Sequence, residues 1–287
     1  MKVVRTPAEM QSIIKSHSTK SIGFVPTMGS LHEGHLSLVQ KAKAQNDLVI
    51  VSIFVNPLQF GPTEDLEQYP RNEAVDCRLL EDLHIDYVFI PSAQAMYPTK
   101  PRIQLTLTDR VNVLCGQSRP GHFDGVAMVI TKLVQIIKPT HMYFGLKDAQ
   151  QFAVIQLLVE DLNLDVKLIG VETVRESDGL AKSSRNVYLT ETEKHEAPYL
   201  YKGLQLGQSL IQRDETDTKV IIQAVKEYIR NHTSAEIDYV DILTYPSLEH
   251  IDFIEDDIIL AGAIKFSSAR LIDNVILTSE GHVKKMD

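Results

Sequence analysis

Cysteine is scarce in this sequence, since Cys77 and Cys115 are the only two among 287 residues. Two isolated thiols form neither a disulfide framework nor a zinc site. The N-terminal residues lack the apolar core of a secretory signal, and no apolar run approaches the length that crosses a bilayer. These absences predict a protein of the reducing cytoplasm that does not have a membrane as a partner.

Positive charge is also in deficit. Lys and Arg number 29 against 38 Asp and Glu, which gives a net charge of −9. An acidic balance argues against broad contact with a phosphate backbone, so nucleic acid is not an expected partner. A small anionic substrate needs only a locally positive pocket, which the net charge does not exclude.

The most informative stretch is PTMGSLHEGH at residues 26–35. An apolar run leads into it and an amphipathic run leads out, which predicts a buried strand, a turn and a helix. Backbone N–H groups and the positive end of the helix dipole point outward at such a junction and favour phosphate. Gly29 and Gly34 let the backbone approach a ligand. His32 and His35 add donors.

Several common motifs are missing from this stretch. It has no Gly-Lys-Ser/Thr ending of a Walker loop, no G-x-G-x-x-G and no H-E-x-x-H. No Cys or His with ligand spacing follows, so a structural zinc pair is disfavoured. The alternative interpretation is a pair of polar histidines at the start of a surface helix.

Strand and helix patterns alternate through the first part of the chain. Apolar runs predict strands at residues 21–25, 48–55, 87–90, 142–144 and 166–174, and alternation predicts an edge strand at 103–107. Amphipathic runs predict helices at 8–16, 36–44, 73–83, 126–137 and 149–162. The β-branched run at 48–55 suits a strand buried on both faces of a parallel sheet. This order predicts a Rossmann-like, doubly wound α/β domain.

The composition changes after residue 188. Polar amphipathic helices are predicted at 191–212 and 218–231, and strands at 237–243, 258–264 and 270–277. These elements predict a smaller α+β unit without a phosphate turn. We therefore expect an N-terminal domain at residues 1–174 and a C-terminal lid domain at 175–287, which would exclude water from the site.

Polar side chains follow several predicted strands. Asn56 and Gln59 come directly after a strand, at the sheet edge where α/β proteins bind ligands, and their amides suit hydroxyl and carboxylate groups. Arg119 lies in a loop before a helix and could bind phosphate or carboxylate. The alternative interpretation is a polar loop for Asn56 and Gln59, and surface solubility for Arg119.

A second strand–turn–helix junction follows residue 144. Lys147 offers a point charge for phosphates. Asp148 could bind a ribose hydroxyl, hold Lys147 or cap the helix. Gln151 lies one helical turn further and could face the ligand.

A donor-rich loop at residues 175–186 carries Lys182, Ser183, Ser184 and Arg185. This set is typical of a site that stabilises an oligophosphate in a transition state. A solvated linker is the alternative.

Residues 26–35 resemble the HIGH-type signature of the nucleotidylyltransferase superfamily, and the longer form P-T-M-G-x-L-H-x-G-H is similar to that of the pantothenate synthetase family. Matching motifs follow in order at 52–61, 69–71, 119–125, 143–151 and 178–186. The resemblance implies a ligase that joins pantoate to β-alanine through pantoyl adenylate, releasing AMP and pyrophosphate. It also implies a homodimer. Mg²⁺ is expected on the phosphates of ATP, with no protein side chain assigned as its ligand.

The resemblance also implies residue roles. The ATP site would comprise Met28, Gly29, Ser30, Leu31, His32, Glu33, Gly34, His35, Gly145, Leu146, Lys147, Asp148, Val174, Lys182, Ser183, Ser184 and Arg185. The catalytic set would be His35, matching the proton donor, with His32, Lys147, Ser183 and Arg185. Pantoate and β-alanine would contact Gln59, Gln151, Asn56, Met28 and Arg119. Two positions depart from the family: Lys182 stands where Met or Leu is frequent, and Leu146 where Glu or Gln is usual.

Three alternatives remain on sequence grounds. Another HIGH-type nucleotidylyltransferase with a different small acceptor would share both turns, but should have more basic residues for a second phosphate. A nucleotide sensor would not need His32, His35, Lys147 and Arg185 together. A tRNA synthetase fragment is disfavoured by the net charge and by the lack of an anticodon-binding extension.

Overall fold

The computed structural model describes residues 1–62, 64 and 66–285. Their contacts divide the chain into two compact units, each described here by itself. The first comprises Met1–Leu146 and Val154–Val171, and the second comprises Lys147–Ala153 and the described residues from Glu172 onward. The domain boundary expected after residue 174 stays a prediction.

A six-stranded parallel sheet organises the first unit. Its strands are β1 (Lys2–Val4), β2 (Ile22–Thr27), β3 (Leu48–Ile53), β4 (Tyr87–Phe89), β5 (His141–Gly145) and β6 (Lys167–Val171). The helices between them are α1 (Pro7–Ser16), α2 (Glu33–Gln45), α3 (Glu73–Asp82), α4 (Ala93–Met96), α5 (Leu114–Ser118), α6 (His122–Ile137) and α7 (Ala149–Asp161). All six positions of β3 are buried, as its β-branched run predicts.

The strand order is β1-β4-β3-β2-β5-β6, so the topology reverses between β2 and β5. In open parallel sheets, ligands bind outside the carboxyl ends of the strands at such a switch point. The PTMGSLHEGH turn leaves β2, and Gly145 ends β5. The two junctions predicted to bind phosphate therefore follow the two strands that flank the switch point.

A three-stranded antiparallel sheet forms the base of the second unit, in the order β7 (Glu236–Thr244), β8 (Ile258–Lys265) and β9 (Arg270–Leu277). Helices α8 (Glu191–Glu196), α9 (Tyr199–Ile211) and α10 (Thr218–His232) accompany it. Buried aliphatic side chains from α9, α10 and the sheet make one core. The predicted fold class, a doubly wound parallel sheet with a smaller α+β unit, is confirmed.

Two local predictions are wrong. Residues 103–107 form no strand, and Ile103 is 73% exposed. Leu107 N–H donates to the Asp124 carboxylate at 3.0 Å instead of to a neighbouring strand. The helix predicted at 191–212 is two helices, because Pro198 separates α8 from α9. None of the helices in the described part of the chain is long and apolar enough to cross a membrane.

Candidate active site

The turn after β2 is fixed by a buried carboxylate. Gly29 and Ser30 both have positive φ angles, +84° and +53°. The Asp76 carboxylate on α3 accepts from Ser30 N–H at 2.9 Å and from Leu31 N–H at 2.8 Å, and Asp76 is only 2% exposed. Asp76 is not among the site residues predicted from the sequence. Its place four residues before the inward-facing Leu80 is the signal that could have found it, because a charge on the buried face of a helix needs a partner.

His32 and His35 begin α2 as a reciprocal cap, with ring centroids 4.1 Å apart. His32 Nδ1 accepts from Gly34 N–H at 3.2 Å, and His35 Nδ1 accepts from His32 N–H at 3.4 Å. A ring nitrogen that accepts a hydrogen bond carries no proton, so the proton of each neutral ring is on Nε2. Each histidine therefore keeps an Nε2–H donor at a helix N-terminus, where the dipole favours anions.

The ends of β2 and β3 bring Met28, Asn56 and Gln59 together. Gln59 Nε2 donates to Met28 Sδ at 3.2 Å, and Asn56 Nδ2 donates to Gln59 Oε1 at 3.2 Å. Asn56 Nδ2 also donates to the Gly125 carbonyl at 3.0 Å, while Asn56 Oδ1 accepts from the Tyr97 hydroxyl at 3.0 Å. Burial raises the pKa of Tyr97 to about 12, so this hydroxyl keeps its proton. The Asn56 side chain thus holds Gln59 with one hydrogen bond and is itself fixed by Gly125, Tyr97 and Leu58.

Helix α6 packs against the turn that carries Gln59 through the backbone of Gly125, which has no side chain. A Cβ added at Gly125 would overlap the Leu58 carbonyl and lie 2.6 Å from the Gln59 Cα. Only glycine lets α6 approach the short helical turn Pro57–Gln59 so closely.

We expect Gly125→Ala to lower the free energy of unfolding by about 1–3 kcal/mol through overpacking. Alanine normally stabilises a helix interior by about 1 kcal/mol relative to glycine, so a loss would show that the overlap dominates. Urea unfolding measures the change. Gly61→Ala is the matched control, because a Cβ there meets nothing nearer than the Glu64 side chain at 3.7 Å. Equal or greater stability of Gly125→Ala would contradict the direct contact.

Arg119 lies in a short chain of hydrogen bonds. Its Nε and Nη2 atoms donate to the two Glu64 carboxylate oxygens, both at 2.7 Å, and Nη1 lies 3.0 Å from His122 Nε2. His122 Nδ1 in turn lies 2.8 Å from the Gln59 carbonyl oxygen. Arg119 therefore binds a carboxylate of the protein, and its expected contact with substrate stays a prediction.

The Glu64–Arg119 pair should make stability depend on pH. Burial raises the pKa of Glu64, but the hydrogen bonds and charge of Arg119 outweigh it and hold the pKa below the ordinary 4.5. A lowered folded pKa adds stability above the unfolded pKa, which is lost as pH falls through the folded pKa. We expect Glu64→Gln to be less stable than the parent at neutral pH, with a gap that narrows below about pH 4.5. Urea titrations across this range measure it. A constant gap would refute the linkage. In an Arg119→Met background the gap should no longer narrow as the pH falls, because burial then raises the pKa of Glu64 without the opposing guanidinium.

The donor-rich loop of the second unit is a folded hairpin. Lys182 N–H donates to the Val174 carbonyl at 2.9 Å, and Arg175 forms an antiparallel β-bridge with Ala181. The Arg175 guanidinium donates to the Asp273 carboxylate on β9 at 2.6 and 2.9 Å and lies 3.5 Å above the Tyr201 ring. This segment is therefore anchored to the unit rather than a solvated linker.

Within this hairpin, Lys182 Nζ lies 2.6 Å from Glu176 Oε1. The Ser183 hydroxyl accepts from Arg185 N–H at 3.3 Å and caps the short helical turn Ser184–Tyr188. Lys182 thus has a carboxylate partner in the protein, and part of the Ser183 side chain's capacity is used for capping.

The junction after β5 forms a 3₁₀ turn, Leu146–Asp148, before α7. Leu146 is buried. In the second unit, Lys147 Nζ lies 3.7 Å from Asp148 Oδ2, and the Lys147 carbonyl accepts from Asn274 Nδ2 at 2.9 Å. Gln151 is partly buried in the first turn of α7.

Among the residues that the structure describes, no group of three or more His, Cys, Asp or Glu side chains could hold a metal ion. The side chains predicted to form the site are mostly hydrogen-bond donors: imidazole, amide, ammonium and guanidinium groups. That chemistry suits phosphate and carboxylate oxygens rather than a cation.

Known proteins are similar to this chain over nearly its whole length. A family model described as Pantoate-beta-alanine ligase matches residues 2–276. The pantothenate synthetase of Bacillus pumilus (strain SAFR-032) is 54% identical over 289 residues, covering 99% of this chain and 100% of the relative. That of Bacillus thuringiensis (strain Al Hakam) is 52% identical over 280 residues, covering 97% and 99%.

Solved structures agree with these sequence matches. The crystal structure of pantothenate synthetase from Thermus thermophilus has a TM-score of 0.92 at 38% identity, covering 98% of this chain and 100% of that one. A pantoate-beta-alanine ligase from Francisella tularensis, complexed with beta-gamma ATP and beta-alanine, has a TM-score of 0.79 at 36% identity, covering 96% and 97%.

Proposed function

The chain belongs to the pantoate-beta-alanine ligase family, and we propose from this that it condenses pantoate with β-alanine to pantothenate, using ATP. One observation of the site carries the proposal. A phosphate-type turn with His32 and His35 leaves β2, and the buried amide Gln59 follows β3 and is joined to that turn through Met28. Donors for a nucleotide and for a polar acid substrate therefore lie at neighbouring strand ends. The ATP and β-alanine of the Francisella tularensis complex fit the same pairing.

The first step activates the acid. A pantoate carboxylate oxygen attacks the α-phosphorus of ATP, the bond from that phosphorus to the bridging oxygen breaks, and pyrophosphate leaves with its electron pair. We propose that His32, His35, Lys147, Ser183 and Arg185 stabilise the charge that develops on phosphate oxygens. Positioning and charge supply the catalysis, and no side chain forms a covalent bond to substrate.

The second step makes the amide. The β-alanine nitrogen attacks the carbonyl carbon of pantoyl adenylate, and AMP leaves from that carbon. The amine must be neutral to attack, so its proton goes to solvent or base, and activity should fall at low pH. Gln59 would place the incoming substrate, since its Oε1 is held by Asn56 while its Nε2 donates to Met28 Sδ, a weak acceptor that a substrate oxygen can replace.

Several further roles belong to the same proposal. Mg²⁺ would enter on the phosphates of ATP and neutralise their charge, held chiefly by phosphate and water. We propose on the same footing the ATP-site residues Met28 to His35, Gly145 to Asp148, Val174 and Lys182 to Arg185. The same holds for the substrate contacts of Gln151, Asn56, Met28 and Arg119. It also holds for a homodimer, a cytoplasmic location and a lid role for residues 175–287.

ATP–pyrophosphate exchange without β-alanine is the direct test. We expect exchange that requires pantoate, and pantothenate when β-alanine is added. Pantoyl lactone is the matched control, because it lacks the free carboxylate that attacks phosphorus. Product without exchange would mean that pyrophosphate stays bound until the second step. Absence of both exchange and product would overturn the proposal and favour another small acceptor.

A further inference from the structure

His122 is a buried histidine of α6 that the proposed reaction does not use, and it is 9% exposed. Its Nδ1 lies 2.8 Å from the Gln59 carbonyl oxygen, and its Nε2 lies 3.0 Å from Arg119 Nη1. Each ring nitrogen is thus within hydrogen-bond distance of a group that can only donate or only accept.

These partners determine where the proton is. A guanidinium has donors only, so His122 Nε2 must accept from Arg119. A carbonyl oxygen accepts only, so His122 Nδ1 must carry the proton that it donates to Gln59. The ring is therefore the neutral Nδ1–H form. Glu64 holds the other edge of Arg119 with two hydrogen bonds of 2.7 Å, which fixes the guanidinium that orients the ring.

We infer that His122 is a positioning residue that sets the backbone of Gln59 in the substrate site. The chain Glu64–Arg119–His122 ends on the Gln59 carbonyl, while Asn56 fixes the side-chain carbonyl of the same residue. Direct packing of α6 at Gly125 closes off movement of the turn on that side. Gln59 is thereby held at both its main chain and its side chain. This inference rests on the proposed role of Gln59 as a substrate contact.

Two near-isosteric substitutions separate the two hydrogen bonds. Asparagine at 122 places an amide N–H near the former Nδ1, so His122→Asn keeps the bond to Gln59 and loses the acceptor for Arg119. Glutamine places its amide oxygen near the former Nε2, so His122→Gln keeps the acceptor for Arg119 and loses the bond to Gln59. The pair is matched in polarity and in the number of bonds lost.

We expect His122→Gln to raise the KM for pantoate by about 3–10-fold, the range of one lost neutral hydrogen bond. His122→Asn should raise it less, and the KM for ATP should change by less than about twofold in both. The positioning role would be overturned if both variants raised the KM for pantoate equally. It would also be overturned if the KM for ATP rose as much as the KM for pantoate. Thermal unfolding checks that both variants fold, and it is run before the kinetics.

A spectroscopic test does not depend on activity. In protein labelled with ¹⁵N-histidine, the ring signals that disappear in His122→Asn belong to His122. We expect a protonated Nδ1 and an unprotonated Nε2 at neutral pH. A ring protonated on Nε2 would overturn the inference even if the enzyme is active. The expected tautomer in a protein that shows neither pantoate-dependent exchange nor pantothenate formation would instead leave the hydrogen-bond chain intact and overturn the proposed function.

Discussion

His35→Asn is expected to lower pantoate-dependent ATP–pyrophosphate exchange by about 10²–10³-fold, the cost of removing one donor that stabilises transition-state charge. His35 performs two tasks with two nitrogens. Its Nδ1 accepts from His32 N–H and caps α2, while its Nε2–H is the donor proposed for phosphate. Asparagine places an acceptor near the former Nδ1, so it preserves the cap and removes only the Nε2 donor.

The controls for this prediction use the same position. His35→Gln places an amide near the former Nε2 and should retain more exchange than His35→Asn. His35→Ala removes both functions. It should also lower the free energy of unfolding by about 1 kcal/mol, because the helix cap is lost. Exchange by His35→Asn within about tenfold of the parent would rule out Nε2 as a transition-state donor.

Asp76→Ala should lower the free energy of unfolding of the first unit by about 3–5 kcal/mol, because hydrogen bonds to a charged group contribute about 1.5–3 kcal/mol each. The substitution leaves the N–H groups of Ser30 and Leu31 without their buried acceptor. It also frees a turn in which Ser30, a residue other than glycine, has a positive φ. We therefore expect ATP affinity to fall together with stability.

Urea unfolding and calorimetric titration with a non-hydrolysable ATP analogue measure the two effects. Asp82→Ala is the matched control, since it removes an exposed carboxylate from the same helix and should change both by little. Asp76→Asn keeps one carbonyl oxygen and should give intermediate values. Normal ATP affinity of a folded Asp76→Ala protein would show that the turn holds its shape without this carboxylate.

Local patterns predict the central elements of this fold because burial imposes them directly. The β-branched run of β3 and the glycine-punctuated junction after β2 can both be recognised within a few residues. By contrast, the three residues of β1 are too short to show a pattern, and they are a strand only because they pair with β4. Alternation at residues 103–107 gives the appearance of a strand, but pairing with a neighbour decides the outcome.

Partnerships between distant residues explain what sequence analysis misses in the site. Asp76 acts on a turn 45 residues earlier in the chain, and His122 acts on a carbonyl 63 residues earlier. Asp76 belongs to none of the recognised motifs, and His122 lies in the motif at 119–125 without a role assigned to it from the sequence. The sequence does bring out Asn56, Gln59 and Arg119 as polar residues at strand and helix ends. It does not show that Asn56 and Arg119 bind groups of the protein, because that depends on which side chains surround them.

The anchoring of the donor-rich hairpin has a consequence for drug resistance. Arg175 fixes the hairpin through Asp273, 98 positions later in the chain, and through the Tyr201 ring. If Lys182 and its neighbours bind ATP as proposed, an inhibitor that competes with the nucleotide would select for changes that alter their placement. Such changes need not touch the inhibitor. Substitutions at Asp273 and Tyr201 would be sites of escape that a list of inhibitor contacts alone could omit.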